Sequence, residues 1–102
     1  MLNSKQRAFL RSKANTLDPI MQVGKGEISE EMLSAISKAL MNRELIKISV
    51  LQNSDYEARQ VADIVAEELH ADIVSVVGRK IVVYRKSTKQ GVSHIEIPES
   101  KK

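Results

Sequence analysis

Leu45 to Leu51 alternates, with Ile46, Ile48 and Val50 on one face and Lys47 and Ser49 on the other. That two-residue period predicts a strand. Upstream, Ile28, Met32, Leu33, Ile36, Ala39 and Leu40 recur at helical spacing. Ser29 is placed to cap that helix, with Glu30 and Glu31 in its first turn. Downstream, Ser54 and Glu57 have capping-box spacing, and Ala58, Val61, Ala62, Val65 and Leu69 continue a further helix. Near the N-terminus Phe9, Leu10 and Leu17 share one arc of a helical wheel, which predicts a first helix over 3–16. Arg7 and Arg11 form an i, i+4 stripe outside that arc, and Lys13 must snorkel at its edge. Asp18-Pro19 ends the helix, because the residue before proline avoids the helical region.

Three more strands complete the pattern. Ile20 to Val23 is a short one; Ile73 to Val77 and Lys80 to Arg85 are rich in β-branched residues. Gly78-Arg79 between the last two has the glycine-first form of a two-residue type II′ turn. The order α-β-α-β-α-β-β predicts a single α/β domain over residues 1–86 with a small mixed four-stranded sheet. Helical crossovers imply parallel strands, and the closing hairpin supplies an antiparallel pair. Residues 87–102 read as a polar, flexible tail, with a weak edge strand at 92–97 from Val92, Ile95 and Ile97.

The 102 residues suffice for one core and not for two. The longest apolar runs are four residues, as at Ile81 to Tyr84, so no membrane span is expected. Cations interrupt the apolar segments before Asp18, which argues against a secretory leader. Without cysteine there is no disulfide framework and no thiolate chemistry; this fits a reducing compartment, and a cytoplasmic location is expected. The net charge of +3 is unevenly spread: residues 1–25 sum to +4, residues 26–78 to −6 and residues 79–102 to +5. If the two basic ends meet in space, they form a patch that attracts polyanions.

Catalysis finds little support. His70 and His94 have no second ligand at metal spacing, and the adjacent pairs Glu30-Glu31 and Glu67-Glu68 do not face one another on a helix. No metal, cofactor, small-molecule substrate or enzymatic activity is expected. Gly24-Lys25-Gly26-Glu27 lies between a strand and a helix N-terminus, where glycines would admit a phosphate and Lys25 adds charge. A tight strand-to-helix turn explains the glycines equally well, and the Glu27 carboxylate opposes a nearby phosphate. Arg79 and Lys80 sit at the hairpin tip, Arg85 and Lys86 at its far end. With only Phe9, Tyr56 and Tyr84, a sheet stacking several exposed bases is disfavoured. Recognition of RNA backbone and shape needs only cations and backbone amides, and fits better.

The runs Pro19 to Gly26, Leu33 to Leu40 and Arg43-Glu44-Leu45-Ile46-Lys47-Ile48 resemble the CRM (chloroplast RNA splicing and ribosome maturation) domain family. So do Val76 to Arg85 and the opening Ser4-Lys5-Gln6-Arg7. The match is to the small bacterial stand-alone form, the YhbY-like proteins, over roughly residues 2–86. The resemblance implies a fold similar to the C-terminal domain of translation initiation factor 3, RNA binding, and association with the maturing large ribosomal subunit. It also implies a G-x-x-G loop whose first glycine falls on Gly24 and whose last position is Glu27, with Gly26 one place earlier.

The expected function is therefore non-enzymatic binding of structured rRNA in large-subunit precursors. Gly24, Lys25 and Gly26 would cradle a phosphate, while Arg7, Arg11, Arg79, Lys80 and Arg85 track neighbouring backbone. A protein-interaction adaptor using the acidic helices is the alternative. An anion- or nucleotide-binding enzyme centred on Lys25 and a non-specific DNA binder remain further readings.

Overall fold

A computed structural model describes residues 2–92 and 94–98. Helix α1 spans Ser4–Ala14 and is opened by a reciprocal cap: the Gln6 amide donates to Asn3 Oδ1 (2.8 Å), and the Asn3 amide to Gln6 Oε1 (3.1 Å). Strand β1 (Met21–Val23) leads through the glycine loop to α2 (Glu30–Arg43), where Ser29 Oγ accepts from the Met32 amide as its spacing predicts. Strand β2 is Leu45–Val50 and α3 is Ala58–Leu69. The N-cap of α3 is Glu57, whose amide donates to Gln60 Oε1. Ser54 instead closes a local turn by accepting from the Tyr56 amide, so the expected Ser54–Glu57 capping box does not form. Strands β3 (Asp72–Val77) and β4 (Lys80–Tyr84) make the hairpin. Gly78 has φ +58° and Arg79 stays at negative φ, as a type II′ turn requires.

The sheet order is β1-β2-β4-β3. β1 and β2 are parallel neighbours across the α2 crossover, whereas β4 lies antiparallel between β2 and β3. The α3 crossover thus skips one place in the sheet, and the hairpin folds back into the gap. All of β1, β2 and β3 point the same way.

Each sheet face has its own core. Ile46, Ile48, Val50, Ile81 and Val83 pack on Ile36 and Leu40 of α2 and Val61, Ala62 and Val65 of α3. On the opposite face Leu45, Val82 and Tyr84 meet Leu10 and Ala14 of α1. A register shift between Ile73 and Ser75 adds Val74 to this second cluster.

After Tyr84 the chain turns back across the bottom of the sheet. The edge strand expected at 92–97 is absent from the described residues of that stretch. Ile95 and Ile97 pack against the α1-side cluster, and the Gln6 side-chain amide donates to the Pro98 carbonyl (2.9 Å). This strap is gathered by Glu44, a fully buried carboxylate at the C-terminus of α2. Its oxygens accept from the Ser87 amide (2.7 Å), the Ile95 amide (2.7 Å) and His94 Nδ1 (2.6 Å). Because an ionised carboxylate only accepts, His94 must hold its proton on Nδ1. Glu44 sits at φ +64°, a conformation costly for a side-chain-bearing residue, which these three bonds over-determine.

Candidate nucleic-acid interface

The common direction of β1, β2 and β3 brings three connections to one end of the sheet: the Gly24–Glu27 loop, residues 51–57 and the Gly78-Arg79 turn. Backbone hydrogen bonds tie them together. The Leu51 amide donates to the Val23 carbonyl (2.9 Å), and the Val50 amide to the Arg79 carbonyl (2.8 Å). Lys25 and Arg79, far apart in sequence, therefore emerge from one edge of the molecule. Both are exposed, and neither side chain has a hydrogen-bond or ion-pair partner among the described residues.

Within the loop the two glycines differ. Gly26 adopts φ +102°, where a side chain would be strained. Gly24 does not: a Cβ there would meet Leu51 Cδ1 at 3.6 Å and Asn53 Oδ1 at 3.7 Å, ordinary contacts. The Gly26 amide points at an anionic oxygen, donating to Asp55 Oδ2 at 3.0 Å. Asp55 therefore occupies the place where a phosphate oxygen would accept this bond. The N-terminus of α2 is not open to an anion, since Ser29 caps it and Glu30 and Glu31 fill its first turn.

Below this edge, the α1 side of the sheet is only partly covered. The paired row Gln22–Ser49–Lys80–Val77 crosses all four strands, and Val77 is 67% exposed. Lys80 Nζ donates to Ser49 Oγ at 2.9 Å. Arg11 of α1, Lys47 of β2 and Lys80 line one shallow depression with Ser75 and Val77. The basic N-terminal helix and the basic hairpin thus meet on one face. Lys47, which sequence reasoning left as the polar side of a strand, joins them; its signal was its shared face with Ser49.

Arg7 and Arg85 are placed differently. Arg7 donates to the Ile73 carbonyl (3.3 Å) and the Leu2 carbonyl (3.4 Å), pinning α1 to the edge strand β3. Arg85 lies about 20 Å along β4 from the tip, at the opposite end of the sheet. It donates to the Leu69 carbonyl (2.9 Å) and to the Ser37 carbonyl and hydroxyl (2.9 and 3.0 Å). It joins the ends of α3 and β4 to the middle of α2, and its guanidinium is occupied there.

The fold corresponds to a known family. A family model for the CRS1/YhbY (CRM) domain matches residues 2–85. The chain belongs to this family. It is 44% identical to the probable RNA-binding protein YqeI of Bacillus subtilis, over 96% of this chain and 100% of that protein. It is 33% identical to an RNA-binding protein of Haemophilus influenzae, with 95% of each covered. Among solved structures, that of the hypothetical protein SAV1595 from Staphylococcus aureus superposes with a TM-score of 0.78 at 44% identity, covering 96% of this chain and all of that one.

Proposed function

We propose that this CRM-family protein binds structured rRNA and assists assembly of the large ribosomal subunit in the cytoplasm, without catalysis. The observation carrying this reading is the convergence of Lys25 and Arg79 at one edge, with Lys80, Arg11 and Lys47 below it on the partly covered sheet face. Lys25 and Arg79 are exposed and without internal partners among the described residues, which is what counterion-releasing contact with a phosphate backbone needs. The Gly26 amide and Lys25 would take one phosphate, with Asp55 displaced from the amide. Arg79, Lys80 and Arg11 would take the phosphates that follow, while Arg7 and Arg85 hold the scaffold. The names of the relatives favour RNA over DNA as the polyanion.

The adaptor reading draws less support, because α2 and α3 run back antiparallel to the strands before them. Glu30 and Glu31 begin α2 at the top of the sheet, while Glu67 and Glu68 close α3 at the bottom. They do not form one acidic surface.

Sedimentation of the tagged protein through sucrose gradients at two salt concentrations tests the proposal. Salt-sensitive comigration with large-subunit precursors is expected, together with weaker RNA binding and a shallower salt slope for Lys25→Ala and Arg79→Ala. Protein confined to the top of the gradient at low salt would refute the ribosomal role, and unchanged affinity and slope would refute the surface.

A further inference from the structure

A groove of about 840 Å³ opens below the basic face, between the end of α1, the 16–20 connection, β2 and the strap. That is within the usual range for small-ligand sites. Its floor is aliphatic, from Leu17, Ile20, Leu45 and Ile95. Its polar lining includes Lys13, Arg43 and Lys47 against a single acid, Asp18. Arg43 and Lys47 have no internal hydrogen-bond or ion-pair partner among the described residues, and Lys13 Nζ rests over the Phe9 ring at 5.4 Å. Lys47 lines both this groove and the depression shared with Arg11 and Lys80, and so stands between the two. Lys47 also lies about 10 Å down β2 from the loop edge.

From this we infer that the groove is a second RNA site, holding one unstacked nucleotide from a loop or bulge of the bound RNA. It rests on the RNA-binding reading and deepens it. The base would lie on the aliphatic floor with the planar Arg43 guanidinium available to stack on it, and Lys47 and Lys13 would hold the flanking phosphates. The shortage of aromatics favours this place. Tyr84 is buried and Phe9 is half-buried beneath Lys13, so the sheet face offers no aromatic platform for a base. The groove instead combines apolar walls, free cations and enough volume. One wall, Ile95, is held by the bond of its amide to Glu44 and by packing against the α1-side cluster.

The test compares two labelled RNAs, a stem with a single-stranded loop and a blunt duplex of the same stem. Arg43→Ala should weaken loop-RNA binding roughly tenfold, the effect of losing one stacked base, and Lys47→Ala should weaken it by a smaller factor, through the lost flanking-phosphate contact. Duplex binding should fall only by the smaller factor of one lost phosphate contact. Arg43 is exposed, so its variant keeps the test valid if Lys47→Ala folds poorly. With 4-thiouridine in the loop, photocrosslinks should map to residues 12–20 or 43–47. Unchanged loop-RNA affinity, equal losses on both RNAs for Arg43→Ala, or crosslinks confined to 24–27 and 78–80 would overturn the groove while leaving the loop-edge reading intact. Failure of the unmodified protein to bind either RNA would remove both.

Discussion

Replacing Glu44 with glutamine probes the element that the sequence least advertises. The wild-type carboxylate offers two acceptor oxygens to three donors: Oε2 to the Ser87 amide and His94, and Oε1 to the Ile95 amide. Glutamine has one oxygen and one NH₂ group, so at least one donor must face another donor. The least costly arrangement turns the NH₂ toward Ile95, orphaning one amide and leaving two bonds without their charge assistance. Hydrogen bonds to charged groups contribute about 1.5–3 kcal/mol, so Glu44→Gln should cost about 2–4 kcal/mol. For a chain of this size that lowers the melting temperature by roughly 8–16 °C. Thermal unfolding followed by circular dichroism at neutral pH reads it directly. A shift below about 4 °C, equivalent to about 1 kcal/mol, would refute the clasp as a major stabilising element.

The pH dependence gives a second check on the same residue. Burial pushes the Glu44 carboxyl up, but the His94 hydrogen bond, the Ser87 and Ile95 amides and the field of His94 together outweigh it, and its pKa is held below the ordinary 4.5. A folded-state pKa below the unfolded one means that the unfolded chain takes up the proton first as pH falls. The stabilisation is therefore complete above pH 4.5 and is lost progressively as pH drops through the folded-state value. Glutamine does not titrate, so the gap between wild type and Glu44→Gln should narrow over that window. A gap that stays constant would contradict the assignment.

The remaining tests separate the loop from the scaffold. Gly26→Ala forces a side chain into φ +102° and should cost about 1–2 kcal/mol, whereas Gly24→Ala meets only van der Waals contacts and should stay within about 0.5 kcal/mol; melting temperatures in the reverse order would refute the loop geometry. Asp55→Ala frees the Gly26 amide and removes a negative charge beside Lys25, so RNA affinity in a filter-binding assay should rise several-fold, and a fall would refute the competition between Asp55 and phosphate. Arg85→Ala strips donors from the Leu69 and Ser37 carbonyls and should destabilise by about 2 kcal/mol. Binding per folded molecule should not change; a specific loss of RNA affinity would return Arg85 to the interface.

Local patterns made much of the fold legible. Alternation in 45–51 identified β2 and both its faces, and glycine at position 78 identified the hairpin turn. The insertion of β4 between β2 and β3 was not legible, since period-two apolar runs do not say which strand they pair with. Arg79 and Lys80 were readable as tip residues, but their junction with Lys25 depends on backbone bonds between segments distant in sequence. Glu44 follows a helix and precedes a strand, a position where a carboxylate is ordinarily solvated. Its partners His94 and Ile95 lie 50 and 51 residues away, and only Val92, Ile95 and Ile97 in an otherwise polar segment hinted that the strap would dock. Arg85 looked like part of a basic cluster because charge was visible and hydrogen-bond partners were not.

The place of the interface follows from connectivity. Two helical crossovers oblige β1, β2 and β3 to run in the same direction, so the loops after β1 and β2 and the turn after β3 must open at the same end. Ligands of open α/β sheets gather at the carboxyl ends of strands for this reason. Inserting β4 in the middle keeps the hairpin tip adjacent to β2, close enough for the Val50–Arg79 bond. Had β3 followed β2 directly and β4 formed the edge, Arg79 would sit one strand further from Lys25. The insertion also sets Lys80 beside Ser49 and two residue pairs above Lys47 on the same face, which leads the basic positions from the loop edge down toward the groove.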